Sequence, residues 1–135
     1  MKNKIYFGII VFISIVLLGC TDNFEKESIV KFYEEHCPSG NIYNYRKIVV
    51  INDLGGCMNC NNSFATIMAD SLDVEDILFI VSCDGCKVDI SPYIEIDREN
   101  VIWDKNLDFN ELEIVKTCAV IDFKDSLYIN ELHVK

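Results

Sequence analysis

The fold of this chain is decided by residues 47–86, which read KIVVINDLGGCMNCNNSFATIMADSLDVEDILFIVSCDGC. Residues 47–51 form a β-branched run, which is typical of a strand buried on both faces. Residues 57–71 predict a helix, and residues 76–82 form a second apolar run of strand length. A strand–helix–strand unit of this kind predicts parallel pairing of the two strands with a right-handed crossover. The apolar side chains at helical spacing are Phe64, Ile67 and Met68.

The flanking segments predict further elements of one α/β domain. Before the central unit, residues 27–36 predict a helix, with Ile29, Phe32 and Tyr33 on its buried face. After it, two apolar runs separated by a short polar turn predict a β-hairpin. These elements predict a central mixed sheet of four or five strands with flanking helices. The later elements are a short helix at 91–96, an edge-like strand at 101–103, a helical turn at 110–115, and the hairpin strands at 119–123 and 127–129.

The first 20 residues indicate export from the cytoplasm. A basic start at Lys2 and Lys4 precedes an apolar run over 5–18 that is shorter than the ~20 residues of a membrane span. The sequence Leu-Leu-Gly-Cys ending at Cys20 resembles the lipobox of bacterial lipoproteins. The alternative is an uncleaved transmembrane anchor.

The lipobox resemblance divides the chain into three parts. Residues 1–19 would be a signal peptide, residues 20–28 a lipidated tether and residues 29–135 the folded domain. Cys20 would carry diacylglycerol and fatty acyl chains such as palmitate, which anchor the protein to a membrane. The expected location is therefore the bacterial cell envelope, facing the periplasm or the cell surface.

The charge of the chain disfavours a nucleic-acid partner. Without Lys2 and Lys4, the 12 basic residues become 10, against 22 acidic ones, so the exported part has a formal net charge of −12. Such a polyanion repels phosphate backbones. The sequence also lacks a Gly-rich phosphate loop and a Gly-x-Ser-x-Gly element, which disfavours nucleotide binding and serine hydrolysis.

Six cysteines remain beyond Cys20, and an exported protein can form disulfides between them. Cys57 and Cys60 lie where the first predicted strand gives way to the helix. The positive end of the helix dipole favours the thiolate there, and a cysteine one turn away can close a reversible disulfide. The six are Cys37, Cys57, Cys60, Cys83, Cys86 and Cys118.

The order of these elements and the Cys57-x-x-Cys60 pair resemble the thioredoxin-like superfamily, especially its membrane-anchored extracytoplasmic thiol–disulfide oxidoreductases. The resemblance runs from about residue 47 to residue 132. It implies that Cys57 is the nucleophile, that Cys60 resolves the mixed disulfide, and that the partners are extracytoplasmic protein thiols or disulfides. The chain departs from that family at Gly56, where an aromatic residue is usual, in the absence of a proline at 115–118, and in lacking a final helix.

A second pair, Cys83 and Cys86, follows the second strand. Since parallel strands end at the same edge of a sheet, both pairs are expected to approach one another there. The resemblance also places Thr117 and Cys118 opposite the redox pair.

Three hypotheses remain open for this cysteine cluster. The first is redox exchange at Cys57 and Cys60, with Cys83 and Cys86 as a second or relay disulfide and no cofactor. The second is a four-thiolate zinc site formed by these same cysteines, although the interval between the pairs exceeds the ~15–20 residues of zinc ribbons. The third is a non-catalytic binding module whose disulfides only stabilise the fold. Enzymatic activity is thus one of the alternatives.

Four other side chains were considered for functional roles. Asp53 is interpreted as a turn former, with proton acceptance during disulfide exchange as the alternative. His36 and His133 lack metal-ligand spacing and are predicted at the surface. Cys37 is interpreted as a loop thiol or as the disulfide partner of a cysteine such as Cys118.

Overall fold

The computed structural model describes residues 23–52, 58–83, 94 and 97–132, and these residues form an α/β structure with helices on a mixed sheet. The first helix, α1, covers residues 23–36 and is followed by a short 3-10 turn. The remaining elements in chain order are β1 (Lys47–Asn52), α2 (Met58–Ala69), β2 (Ile77–Ser82), β3 (Val101–Asp104), α3 (Asp108–Glu111), β4 (Ala119–Asp122) and β5 (Tyr128–Glu131).

The five strands lie in the order β3-β2-β1-β4-β5. Strand β1 pairs in parallel with β2, and β2 pairs in parallel with β3. On its other side β1 pairs antiparallel with β4, which forms the antiparallel hairpin with β5. The predicted mixed sheet, the parallel strand–helix–strand unit and the terminal hairpin are therefore confirmed.

Strand β1 is central and contributes to two apolar cores, one on each face of the sheet. Ile48 and Val50 face the core that includes α1 and α3, whereas Val49 and Ile51 face the core that includes α2. This alternation follows from the two-residue period of a strand. Both cores consist mainly of aromatic and branched side chains. The largest fully buried side chains are those of Phe79, Phe109 and Phe123.

Helix α1 packs its predicted apolar face on the sheet. Ile29, Phe32 and Tyr33 are buried beside Ile48 and Leu78. The helix begins four residues earlier than predicted, because residues 23–26, which lie within the predicted tether, are also helical. Within that turn the Ser28 hydroxyl donates to the Phe24 carbonyl at 2.9 Å, a hydrogen bond that keeps Ser28 compatible with a helix.

Helix α2 packs on the sheet with a face that matches the predicted one only in part. Ile67 was assigned to the apolar face, but it is 63% exposed. The buried positions of the helix are Asn61 and Ala65, with Phe64 and Met68 partly buried, and Leu72 in the turn that follows is also buried. The prediction was wrong at Ile67 because it considered only the hydrophobicity of each side chain. The helix lies close to the sheet at Ala65, which has a small side chain, and at Asn61, which is hydrogen-bonded to β1.

The remaining predictions have mixed outcomes. The edge strand occurs at Val101–Asp104, and the helical turn occurs slightly earlier than predicted, at Asp108–Glu111. Of the helix predicted at 91–96, only the buried Ile94 is described. In the part of the chain that the structure describes, which extends to Leu132, no helix follows β5. Among the described helices, none has the length and apolar character needed to cross a membrane.

Candidate functional site

A row of buried polar side chains marks the carboxyl edge of the three parallel strands. Asn52, Ser82 and Asp104 are the last residues of β1, β2 and β3, and they stand in register with one another. Their side chains are 2%, 0% and 1% exposed. In open α/β sheets, ligands are bound outside this edge. The buried polar side chains Asn52, Ser82 and Asp104 therefore lie at the edge of the sheet where such folds bind ligands.

These polar groups are joined by hydrogen bonds through α3. The Asn52 amide donates to Asn110 Oδ1 at 2.5 Å, and the Asn110 amide donates to Ser82 Oγ at 3.0 Å. The Ser82 hydroxyl in turn donates to Asp104 Oδ2 at 2.7 Å. Since buried polar groups are costly when unpaired, these hydrogen bonds explain how three polar side chains at the strand ends are tolerated in a buried position.

Asp104 also holds the start of α3. Its Oδ1 accepts the backbone N–H of Asp108 at 2.9 Å, and its Oδ2 accepts that of Phe109 at 2.9 Å. Leu107, which directly precedes α3, has a positive φ of 64°. The carboxylate thus pairs with backbone donors that the helix itself leaves unpaired.

Two of the predicted site cysteines are in disulfides. Cys60 lies half-buried in the first turn of α2, shortly after β1 ends, and it is disulfide-bonded. Cys83 directly follows β2, is 5% exposed and is also disulfide-bonded. Cys83 belongs to the same apolar core as α2. Cys60 and Cys83 therefore lie near the carboxyl ends of β1 and β2.

Cys118 lies on the same side of the sheet, immediately before β4. Its thiol is fully buried, and Sγ approaches Asn61 Oδ1 at 3.4 Å and the Asn52 carbonyl at 3.8 Å. Asn61 follows Cys60 in the chain, and its amide donates to the same Asn52 carbonyl at 3.1 Å. The structure thus brings Cys118 against the first turn of α2, which carries Cys60.

Thr117 connects this region to the last strand. Its hydroxyl donates to the Leu132 carbonyl at 3.0 Å and lies 3.3 Å from a Glu131 carboxylate oxygen. These contacts tie the approach to β4 to the end of β5. Thr117, next to Cys118, is therefore held by the end of β5.

Cys37 is remote from this cluster. It follows α1, packs partly buried beside the α1 core and is a thiol, as is Cys118, so the suggested pairing of the two is wrong. A disulfide needs Cα atoms within about 7 Å, and these cysteines belong to cores on opposite faces of the sheet. Burial raises the pKa of the Cys37 thiol, which disfavours its thiolate.

His36 differs from its predicted surface position. Its side chain is 23% exposed, its ring stacks on Phe32 with centroids 4.2 Å apart, and its Nε2 lies 3.5 Å from Asp108 Oδ2. Sequence spacing could not reveal this contact, because Asp108 lies in a different helix far along the chain. His133 is outside the described residues.

Four of the predicted candidate residues are not among those that the structure describes. Cys20, Asp53, Cys57 and Cys86 lie outside the described residues. Conversely, sequence reasoning missed the polar row at the ends of the parallel strands. A signal for it was present in the sequence, because Asn52 and Ser82 directly follow the apolar runs 48–51 and 77–81.

No protein-family model, no curated protein and no solved structure matches this chain. The class that the structure defines is that of α/β proteins with a mixed five-stranded sheet and flanking helices.

Proposed function

We propose that this protein is a lipid-anchored thiol–disulfide oxidoreductase of the thioredoxin-like type, acting on extracytoplasmic protein thiols or disulfides. The observation that carries the proposal is the disulfide at Cys60, in the first turn of α2 and just beyond the central strand β1. The neighbouring parallel strand and the antiparallel hairpin on the other side of β1 also agree with the thioredoxin-like resemblance.

The chemistry assigned to the pair is thiol–disulfide exchange. In the reduced protein the Cys57 thiolate attacks a substrate disulfide, forms a mixed disulfide and releases one substrate thiolate. The Cys60 thiolate then attacks the Cys57 sulfur, which releases the second substrate thiolate. The substrate has gained two electrons, and the protein retains a disulfide between Cys57 and Cys60.

The surroundings of Cys60 support reversible exchange. The start of a 12-residue helix supplies the positive end of a dipole, which favours the thiolate. Cys118 packs against the adjacent Asn61 at 3.4 Å, so a third sulfur lies beside the same helical turn. In the proposed enzyme, Thr117 and Cys118 form the side of the site that faces the redox pair.

A redox titration of the full chain in detergent tests this proposal. The protein is equilibrated with graded ratios of reduced and oxidised glutathione or dithiothreitol, and its thiols are counted by mass spectrometry after alkylation. We expect Cys57 and Cys60 to switch together within roughly −120 to −270 mV, the range of known oxidoreductases. Cys37→Ser is the control, because Cys37 lies on the other face of the sheet. If every disulfide stays closed down to about −300 mV, the enzyme proposal fails.

One observation favours a second candidate, a binding module stabilised by disulfides. Cys83 is 5% exposed and disulfide-bonded within an apolar core, which is the environment of an inert structural bridge. Replacing Cys83 and Cys86 by serine should then lower the free energy of unfolding by about 2–4 kcal/mol without altering the switch at Cys57 and Cys60. A zinc site at these cysteines would require reduction, because Cys60 and Cys83 are both in disulfides here.

The membrane anchor is proposed from the lipobox resemblance at Cys20. Its test is Cys20→Ala in a bacterial host supplied with labelled palmitate. The unmodified chain should take up the label and sediment with membranes, whereas the variant should not take up the label. Equal labelling of both proteins would remove the anchor from the proposal.

A further inference from the structure

We infer that His36, Asp104 and Asp108 form a binding site for a divalent transition-metal ion such as zinc, on the opposite face of the sheet from α2. One ligand atom from each residue lies within 4.8 Å of the others. The three residues come from the end of α1, the end of β3 and the start of α3. This site is independent of the redox proposal and uses none of the cysteines.

The histidine is oriented as a metal-binding histidine usually is. Its Nδ1 lies 2.9 Å from the Phe32 carbonyl, and because a carbonyl only accepts, Nδ1 must carry the proton. Nε2, the ring nitrogen that would bind the metal, faces Asp108 Oδ2 at 3.5 Å. Two ligands of a tetrahedral zinc ion are about 3.3 Å apart, given bonds of about 2.0–2.1 Å. A backbone carbonyl on the distal nitrogen is the usual means of holding such a ligand.

The carboxylate ligands are also fixed in place. Asp104 is 1% exposed and is held by Ser82 and by the backbone of α3. Because Asp108 follows in α3, the same hydrogen bonds position both carboxylates relative to each other. Little ordering would therefore accompany metal binding.

The charge balance calls for a cation. Within the described residues, no lysine or arginine forms an ion pair with either Asp104 or Asp108, and each of the described lysine and arginine ion pairs joins other carboxylates. Two carboxylates, one of them buried, therefore lie beside a single imidazole. A divalent ion would neutralise both, and one imidazole with two carboxylates suits zinc better than calcium or magnesium.

A route to the site is present. Asp108 lines an open groove between α1 and α3 that also contains three glutamates and a single lysine. This excess of negative charge raises the local concentration of cations. The groove residues are Phe24, Glu27, Ser28, Lys31, Phe32, Glu35, Asp108, Glu111 and Leu112.

The test is titration of the full chain in detergent with zinc chloride, after accessible thiols have been alkylated without reduction so that cysteines cannot compete. We expect one equivalent to bind and to raise the melting temperature. His36→Gln and Asp108→Asn should each weaken binding by more than about tenfold. Glu35→Gln and Glu111→Gln, which remove carboxylates from the same groove, should leave it unchanged. Asp104 is not substituted here because its loss would disturb α3 itself.

Two spectroscopic readouts identify the ligands. Zinc should shift the His36 imidazole signals in an NMR spectrum of the labelled protein. Cobalt(II) in place of zinc should give visible bands without a thiolate charge-transfer band in the near ultraviolet. The inference is overturned if the unsubstituted chain binds no zinc, if His36→Gln and Asp108→Asn bind it as tightly, or if the cobalt spectrum shows thiolate ligation.

Discussion

Cys118 Sγ lies 3.4 Å from Asn61 Oδ1, so the start of the terminal hairpin contacts the first turn of α2. The two residues are 57 positions apart in the chain and are 0% and 3% exposed. Their contact joins the antiparallel half of the sheet to the helix that carries Cys60. It therefore couples the hairpin to the proposed redox turn.

Replacing Cys118 by alanine should lower the free energy of unfolding by about 1–2 kcal/mol. The change removes a fully buried sulfur and its hydrogen bond to Asn61. Urea denaturation under non-reducing conditions measures the loss. Cys37→Ala, at a half-buried thiol, should cost less, and an equal loss in the two variants would contradict the burial difference between them.

Asp104→Asn should be more costly, at about 2–3 kcal/mol. The carboxylate accepts two backbone N–H groups and the Ser82 hydroxyl, and an amide nitrogen placed toward any of these donors cannot accept. Denaturation in the presence of a chelator keeps this effect separate from any metal. Ser82→Ala removes one of the three hydrogen bonds to Asp104 and the one that Ser82 accepts from Asn110, and should cost about 1–2 kcal/mol. A larger loss for the serine variant would contradict the central role of the carboxylate.

Gly40→Ala should destabilise the connection between α1 and β1 by about 1–3 kcal/mol. A Cβ at this position would overlap the Tyr33 hydroxyl and would lie 2.9 Å from Cζ of the same ring. Tyr33 is buried in the α1 core, so its ring has little freedom to withdraw. Thermal denaturation measures the effect, with Ser39→Ala as the control at an exposed neighbour. Unchanged stability in Gly40→Ala would mean that the ring moves readily.

Stability should decrease at alkaline pH. Burial, together with the neighbouring Tyr45, raises the pKa of Tyr33 above its ordinary value of 10.0. The unfolded chain therefore loses this proton first, so the contribution is complete below about pH 10 and declines as the pH rises further. Burial also raises the pKa of the Cys37 thiol, so this group likewise lowers stability as the pH rises, beginning at a lower pH than Tyr33.

Urea midpoints measured from pH 7 to 11 test this dependence. Tyr33→Phe should reduce the alkaline decline, whereas Tyr128→Phe, at a side chain 62% exposed, should leave it unchanged. An identical decline in both variants would assign the effect to other groups.

The exposed face of α2 and the core between α2 and the sheet should respond differently to substitution. Ile67→Gln should change stability by no more than about 0.5 kcal/mol, because this side chain is 63% exposed. Leu72→Ala should cost about 2–4 kcal/mol, because Leu72 is 7% exposed and belongs to the α2 core. Chemical denaturation of the two variants side by side provides the comparison, and a reversed order would contradict the orientation of the helix.

The sequence alone determined the elements and most of the sheet. Long β-branched runs have few alternatives to a buried strand, so β1 and β2 could be placed to within a residue or two. The polar turn after β4 likewise predicted the hairpin. These features depend on local periodicity, which is visible in any single stretch of chain.

Only the tertiary structure decided which side chains meet. The contact of His36 with Asp108, and that of Cys118 with Asn61, joins elements whose separation in sequence carries no periodic signal. The same applies to Asn52, Ser82 and Asp104, which share an edge because three strands end in register. Periodicity indicated the buried face of α1 but only part of the buried face of α2, where Ile67 is exposed. The partner across each face depends on how the sheet is ordered and on how closely each helix can approach it.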